Sequence, residues 1–459
     1  MVTYSIIRKS QLEGAHRVDA EYYQSEYLEN EKVIKNYKNG FKLLGELLKR
    51  KNAITGGATP LGAEYLKSGI PFLRVQNVMQ NYLELDDVVY ISDDIHNGLL
   101  KRSKIKPGDI LLTITGVSYG KSATIPEDFK EGNINQHSVK IEIDDKVISP
   151  EFLSTFLNSK FGKYQSDRKI TGLSRPGLVY TELKNILIPL VNLDKQIEIK
   201  NLVKISNDIL KQSKSLYFQA ENLLLEKLGL KDFKPQEDLS YVINFSNVKS
   251  ARRADAEYFQ PKYKKIEEKL IRDFDAKKIK SLDFIKVTTG QYSEEYTSQF
   301  DGKPYIRGTD LLQGTVNLDN LVYIDPKLQN PTKKAKEGDV VVTRVGTIGI
   351  GARLPKEVEG GTISDNLIRL RFSEEALSSY YVCLFFNTVG AQLMIRESRG
   401  SVQARLNQET LREIVLPVLS KPVQQKIADL VRQSHEARKK AKQLLEEAKK
   451  GVEDLIESH

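Results

Sequence analysis

The strongest constraint in this sequence is that it states one framework twice. Arg17-Val18-Asp19-Ala20-Glu21-Tyr22-Tyr23-Gln24 returns as Arg253-Ala254-Asp255-Ala256-Glu257-Tyr258-Phe259-Gln260. Further matches follow in the same order. Ile70-Pro71-Phe72-Leu73-Arg74 parallels Lys303-Pro304-Tyr305-Ile306-Arg307, and Leu85 to Ile91 parallels Leu318 to Ile324. Gly108-Asp109-Ile110-Leu111-Leu112-Thr113 parallels Gly338-Asp339-Val340-Val341-Val342-Thr343, and Leu183 to Leu190 parallels Leu411 to Val418. The separation shrinks from 236 residues at Arg17/Arg253 to 228 at Leu183/Leu411, as happens when copies of one unit lose a few loop residues. Such duplication predicts a pseudo-dimer: two similar domains in one chain, related by an approximate two-fold axis.

A length of 459 residues suits two to four domains. No run of eighteen apolar residues suggests a membrane span, and the opening residues lack the apolar stretch of a signal peptide. Cys383 is the single cysteine, which excludes an internal disulfide and a cysteine-based zinc cluster. A cytoplasmic protein is expected. The formal charge of +9 favours polyanionic partners, because each cation placed at a phosphate releases condensed counterions.

Within each copy, short β-branched runs bounded by Gly, Pro and Asp predict strands, such as Asp109 to Thr115 and Asp339 to Val345. Helical patches interrupt them at Pro150 to Tyr164 and Ala376 to Met394. The expectation is an α+β domain on a twisted, mainly antiparallel sheet. A long helix then follows in each copy. Ile199, Leu202, Ser206, Ile209, Ser213, Leu216, Ala220 and Leu223 keep coiled-coil spacing, as do Val423, Ile427, Leu430, Ser434, Ala437, Ala441, Leu444, Ala448 and Leu455. Ser206 and Ser434 take equivalent seam positions, where a small side chain lets helices approach closely. Val423 to Ile456 would extend about 51 Å, a length suited to holding two modules one DNA turn apart, about 34–36 Å. The seams fit each other, or the helices of another protein.

With the repeat laid out, the chain resembles the specificity subunits of Type I restriction-modification enzymes over nearly its whole length. The resemblance rests on the Arg-x-Asp-Ala-Glu-Tyr-aromatic opening of each half, the Ile-Pro-Phe-Leu-Arg strand and the Pro107 to Leu112 turn. It rests also on the paired Leu-x-x-Ile-x-Ile/Leu-Pro segments that run into helices with Gln196 and Gln424 near their starts. The family's Gly-small-x-Gln turn is met by Gly400-Ser401-Val402-Gln403 and only half matched by Gly172-Leu173-Ser174-Arg175. The resemblance implies target recognition domains over 1–190 and 231–420, and antiparallel spacer helices over 191–230 and 421–459. Each domain would read half of a bipartite site on double-stranded DNA. The helices would also dock two methyltransferase subunits that methylate adenine N6, and motor-nuclease subunits would join for cleavage. The chain itself would be non-catalytic and hold no cofactor or metal; S-adenosylmethionine, ATP and Mg would belong to the partners. The alternative is the recognition subunit of another bipartite restriction system, with a fused methyltransferase-nuclease partner.

Apparent catalytic motifs dissolve on inspection. Gly116-Val117-Ser118-Tyr119-Gly120-Lys121-Ser122 is one residue short of a phosphate-binding loop, and its counterpart from Gly346 to Ala352 lacks the Lys and Ser. Glu182-Leu183-Lys184 has no carboxylate in its counterpart, Thr410-Leu411-Arg412. His16, His96, His137, His435 and His459 show no metal-ligand spacing. Direct readout uses Arg or Lys against guanine and Asn or Gln against adenine. Candidate contacts are therefore Arg74, Lys121, Ser122, Asn135, Gln136, His137, Arg175, Arg307, Arg344, Asn366 and Arg405. The competing role for each is a solvated or salt-bridged surface group.

Overall fold

The computed structural model describes residues 5–10, 12, 17–60, 62, 64–116, 118–170, 177–233, 240–319, 321–400 and 404–458. The chain forms two compact units, Met1–Leu210 with Arg438–His459, and Lys211–Ala437. Both are α+β.

In the first unit, a four-stranded antiparallel sheet runs in the order Ile54–Gly56, Ser138–Ile141, Ile110–Thr113, Ser122–Thr124. Every residue of Ile110–Thr113 is buried, because both faces of this sheet are covered. Ile110 and Leu112 pack with Phe152 and Phe156, whereas Leu111 joins Leu73, Ala123 and Ile134 on the other face. A second four-stranded sheet has the order Val89–Ile91, Ile70–Leu73, Gly132–Ile134, Lys104–Ile105. Ile70–Leu73 and Gly132–Ile134 pair in parallel, so each domain is built on several small sheets rather than the expected single one.

The second unit repeats this plan. Its four-stranded antiparallel sheet runs Lys286–Thr289, Leu367–Arg371, Val340–Thr343, Gly351–Arg353. Beside it stands Val322–Ile324, Lys303–Ile306, Thr362–Ile363, again with one parallel pairing.

Each expected helical patch proves to be two helices: Pro150–Asn158 and Lys160–Lys169 in the first unit, Ser379–Asn387 and Val389–Glu397 in the second. The breaks share a cause. The Ser159 hydroxyl donates to Phe156 O at 2.6 Å and the Thr388 hydroxyl to Leu384 O at 2.9 Å, diverting helix carbonyls to a side chain at the turn.

The long helices span Leu193–Lys227 and Lys421–Glu457. Gln196 and Gln424 fasten their starts. Gln196 accepts from Ser149 N at 2.8 Å and donates to Val191 O, and Gln424 accepts from Ser378 N at 2.9 Å and donates to Leu419 O. In the first unit, Ile199 and Val203 share a core with Leu445, Ala448, Val452 and Ile456, and the Ser206 hydroxyl donates to Ala441 O at 2.8 Å. Higher residues of one helix meet lower ones of the other, so the segments are antiparallel there. In the second unit, Ala220 and Leu224 pack with Ile427 and Val431, and Ser213 and Ser434 each donate to the other's carbonyl, at 2.7 and 2.8 Å. The buried stripe differs from the expected seam at Val431, Val452 and Ile456. These are buried where Leu430 and Leu455 are only partly so, since the helix packs on a domain as well as on its partner.

Asp109 illustrates the cost of covering both sheet faces. Burial pushes its carboxyl up to about 6, against the opposing pull of Lys140 and the backbone N–H of Lys106. The folded state therefore holds this proton more tightly than the unfolded chain, and the associated stability is lost as pH rises from about 4 through about 6. Asp109→Asn keeps an acceptor for Lys106 N while removing the charge. Its unfolding free energy should lose this pH dependence, gaining up to about 3 kcal/mol on the natural chain at pH 7, measured by urea unfolding at several pH values.

Candidate nucleic-acid interface

One face of each unit is built from loops that the sheets bring together. In the first unit, the strand Ile54–Gly56 ends at Gly57, where an added Cβ would lie 2.1 Å from Asn135 O. Only glycine permits that approach, and it seats the 57–60 segment against the Asn135-Gln136-His137 turn. Asn135 N donates to Leu73 O at 3.1 Å, and Asn135 Oδ1 accepts from His137 N at 3.2 Å, so the turn is held from within. The His137 ring lies between Thr115 Oγ1, 2.6 Å from Nδ1, and Gln136 Nε2, 3.2 Å from Nε2. Thr59 bonds Gln136 in turn. The result is a rim of amide, imidazole and hydroxyl groups, with Gln136 itself exposed.

The second unit builds the same rim from other residues. Gly290 repeats Gly57, its added Cβ falling 2.1 Å from Ile363 O. Arg344 N donates to Asn366 O at 2.9 Å, and the Arg344 guanidinium donates to Asp365 O at 3.0 Å. Gly346 N and Leu406 N tie this loop to Ala404 O and Arg344 O, and Arg399 and Arg405 exchange two backbone hydrogen bonds of 2.8 Å. Arg344, Asn366 and Arg405 are thereby assembled on one rim, with Asn366 exposed.

The other sequence-selected residues separate from these. Ser122 is fully buried in a strand, its N–H bonded to Asn158 Oδ1 at 2.9 Å, and so is not open to a base edge as the sequence suggests. Arg74 and Arg307 are tied down as turn-stabilising groups. Arg74 donates to Asp87 O at 2.8 Å, and Arg307 grips Asp310 through bonds of 3.1 and 2.9 Å. Lys121 lies 3.8 Å from Met79 Sδ. Gly116 and Gly346 have φ of 78° and 83°, so these glycines serve left-handed turns. Arg175 and the stretches 172–175 and 401–403 lie outside the described residues, as do His16 and His459. Sequence reasoning missed Thr59, Thr115 and Arg399; the signal was Gly57 and Gly290, glycines closing strands where a second backbone comes near.

A separate depression of about 620 Å³ in the first unit is lined by Lys49, Arg50, Lys104, Lys106 and Lys130 around a buried pair, Lys140 and Glu142, 3.0 Å apart. Among the described residues, no group of three His, Cys, Asp or Glu is placed to hold a metal, and no helix is long and apolar enough to cross a membrane.

The architecture is a duplicated α+β module with polar loop rims and long helices. Residues 272–450 match the family described as Type I restriction modification DNA specificity domain. That stretch, less than half of the chain, is similar to the DNA specificity domain of Type I restriction-modification systems. The Type I restriction enzyme EcoBI specificity subunit of Escherichia coli is 27% identical over 200 residues, a match spanning 43% of this chain and 41% of the relative. The solved Type-I restriction-modification system S subunit from M. genitalium aligns over 92% of this chain and 96% of its own, at 12% identity and a TM-score of 0.44. The HsdS subunit from Thermoanaerobacter tengcongensis aligns over 91% and 96%, at 13% identity and a TM-score of 0.29.

Gly290→Ala forces a methyl into a backbone carbonyl. It is expected to cost about 1–3 kcal/mol, seen as a lowered thermal midpoint; an unchanged midpoint would mean that the two loops part freely.

Proposed function

We propose that this chain is the DNA sequence-specificity subunit of a Type I restriction-modification complex, each globular domain reading one half of a bipartite site. The long helices set the gap between the halves and dock two methyltransferase subunits. Motor-nuclease subunits complete the assembly. The chain chooses the site and does no chemistry; S-adenosylmethionine, ATP and Mg act in its partners.

One observation carries this reading: the same loop rim is built twice on one framework, but from different polar side chains. Asn135, Gln136 and His137 stand where the second unit has Ser364, Asp365 and Asn366, with Arg344 and Arg405 alongside. Two readers of unlike half-sites need this combination, a shared scaffold that positions variable hydrogen-bonding groups.

Methylome sequencing of cells with and without the gene tests it. The expected result is a bipartite adenine-methylation motif with a fixed gap, lost on deletion. Exchanging residues 15–190 for those of a relative should change one half of the motif and leave the other. Arg344→Ala should relax the other half at one position, by about 1–3 kcal/mol of discrimination. Loss of both halves from either change would defeat the two-reader model.

A further inference from the structure

The repeated opening motif has no part in the rims, yet its most extensive contacts lead to one of them. In the second unit Arg253 is nearly buried, and its guanidinium forks onto Asp255 with bonds of 2.8 and 2.9 Å. The remaining donors cap the end of helix Val389–Glu397, reaching Arg396 O and Glu397 O at 3.3 Å and Ser398 O at 2.8 Å. The last carbonyls of a helix have no partner inside it, and a cation there also meets the negative end of the helix dipole. Tyr258 is clasped between two guanidinium groups, Arg253 at 4.4 Å and Arg396 at 4.8 Å from its ring centre. Arg396 also donates to Tyr258 O and pairs with Glu267 at 2.7 Å.

The residue after this capped end is Arg399. Its backbone pairs with Arg405, whose neighbours Ala404 and Leu406 bond to Gly346 and Arg344. Hydrogen bonds joined by the adjoining peptide links Ser398–Arg399 and Arg405–Leu406 thus connect Arg253 to the Arg344–Asn366 rim. The first unit repeats the clasp, with Tyr22 between Arg17 at 4.8 Å and Arg168 at 4.2 Å.

We propose that Arg253 is a positioning residue for sequence reading. By capping the helix at Ser398 it fixes where Arg399 and Arg405 stand against Arg344, and so what the second unit reads. This rests on the function proposed above. The competing role is a fastener that merely holds residues 252–260 to the domain.

Arg253→Lys keeps the charge but loses the fork that reaches Asp255 and three carbonyls together. Asp255→Asn, a gentler change, loosens the same fork. Two readouts apply to the full chain. In hydrogen exchange, the amides of Arg405 and Leu406 should exchange tenfold faster or more in both variants, with Val341 and Val342 unchanged. If those two amides stay as protected as in the natural chain, the positioning role is overturned, whatever the protein reads. In selection from a pool of randomised DNA duplexes, with the methyltransferase partner present, discrimination should fall at least tenfold in the half-site read by the second unit alone. Faster exchange with an unchanged selected motif would leave Arg253 as a fastener only and also overturns the proposal. A natural chain that selects no motif defeats the proposed function, and this inference with it.

Discussion

The buried contact between helix segments is the constraint on which each unit depends. A serine hydroxyl reaches across to a main-chain carbonyl of the facing helix, Ser206 to Ala441 in one unit and Ser434 to Ser213 in the other. A larger side chain would hold the helices apart, and a buried hydroxyl without an acceptor would cost about 1–3 kcal/mol. These two contacts are the same contact in the two copies of the repeat. Each unit therefore completes its core with the early part of its own helix and the late part of the other copy's helix. Duplication in the sequence becomes mutual dependence in the fold.

That dependence bears on how the rims are held. The globular domains anchor the helix starts through Gln196 and Gln424, while the sheets, covered on both faces, leave little freedom to the strands from which the rim loops spring. The polar groups on the rims then vary without disturbing what lies beneath. His137 and Gln136 in one unit, and Arg344 and Asn366 in the other, need only a shared backbone course, which Gly57 and Gly290 secure by excluding a side chain at the closest approach.

Much of this was legible in the residues. The long helices announced themselves through seam spacing, and the parallel motifs fixed the repeat. The interrupted helices were not legible: Pro150 to Tyr164 is apolar enough for one helix, and the break at Ser159 comes from a hydroxyl competing locally for a carbonyl. Nor does pattern alone tell an available cation from a neutralised one. Arg74 and Arg307 look like base readers until Asp87 and Asp310 are found against them. Ser122 follows a glycine-rich turn and reads as loop, but the strand begins at that residue. Strict heptad spacing describes one contact surface, and this helix has two, so the spacing does not mark Val452 and Ile456.

The interleaving also sets an order of assembly. The first unit draws on residues 438–459, which follow the whole of the second unit along the chain. Synthesis runs at about 5–20 residues per second, so the stretch up to Leu210 waits roughly ten to fifty seconds for the segment that finishes its core. On the ribosome, the unit that begins earlier in the chain is finished after the one that begins later.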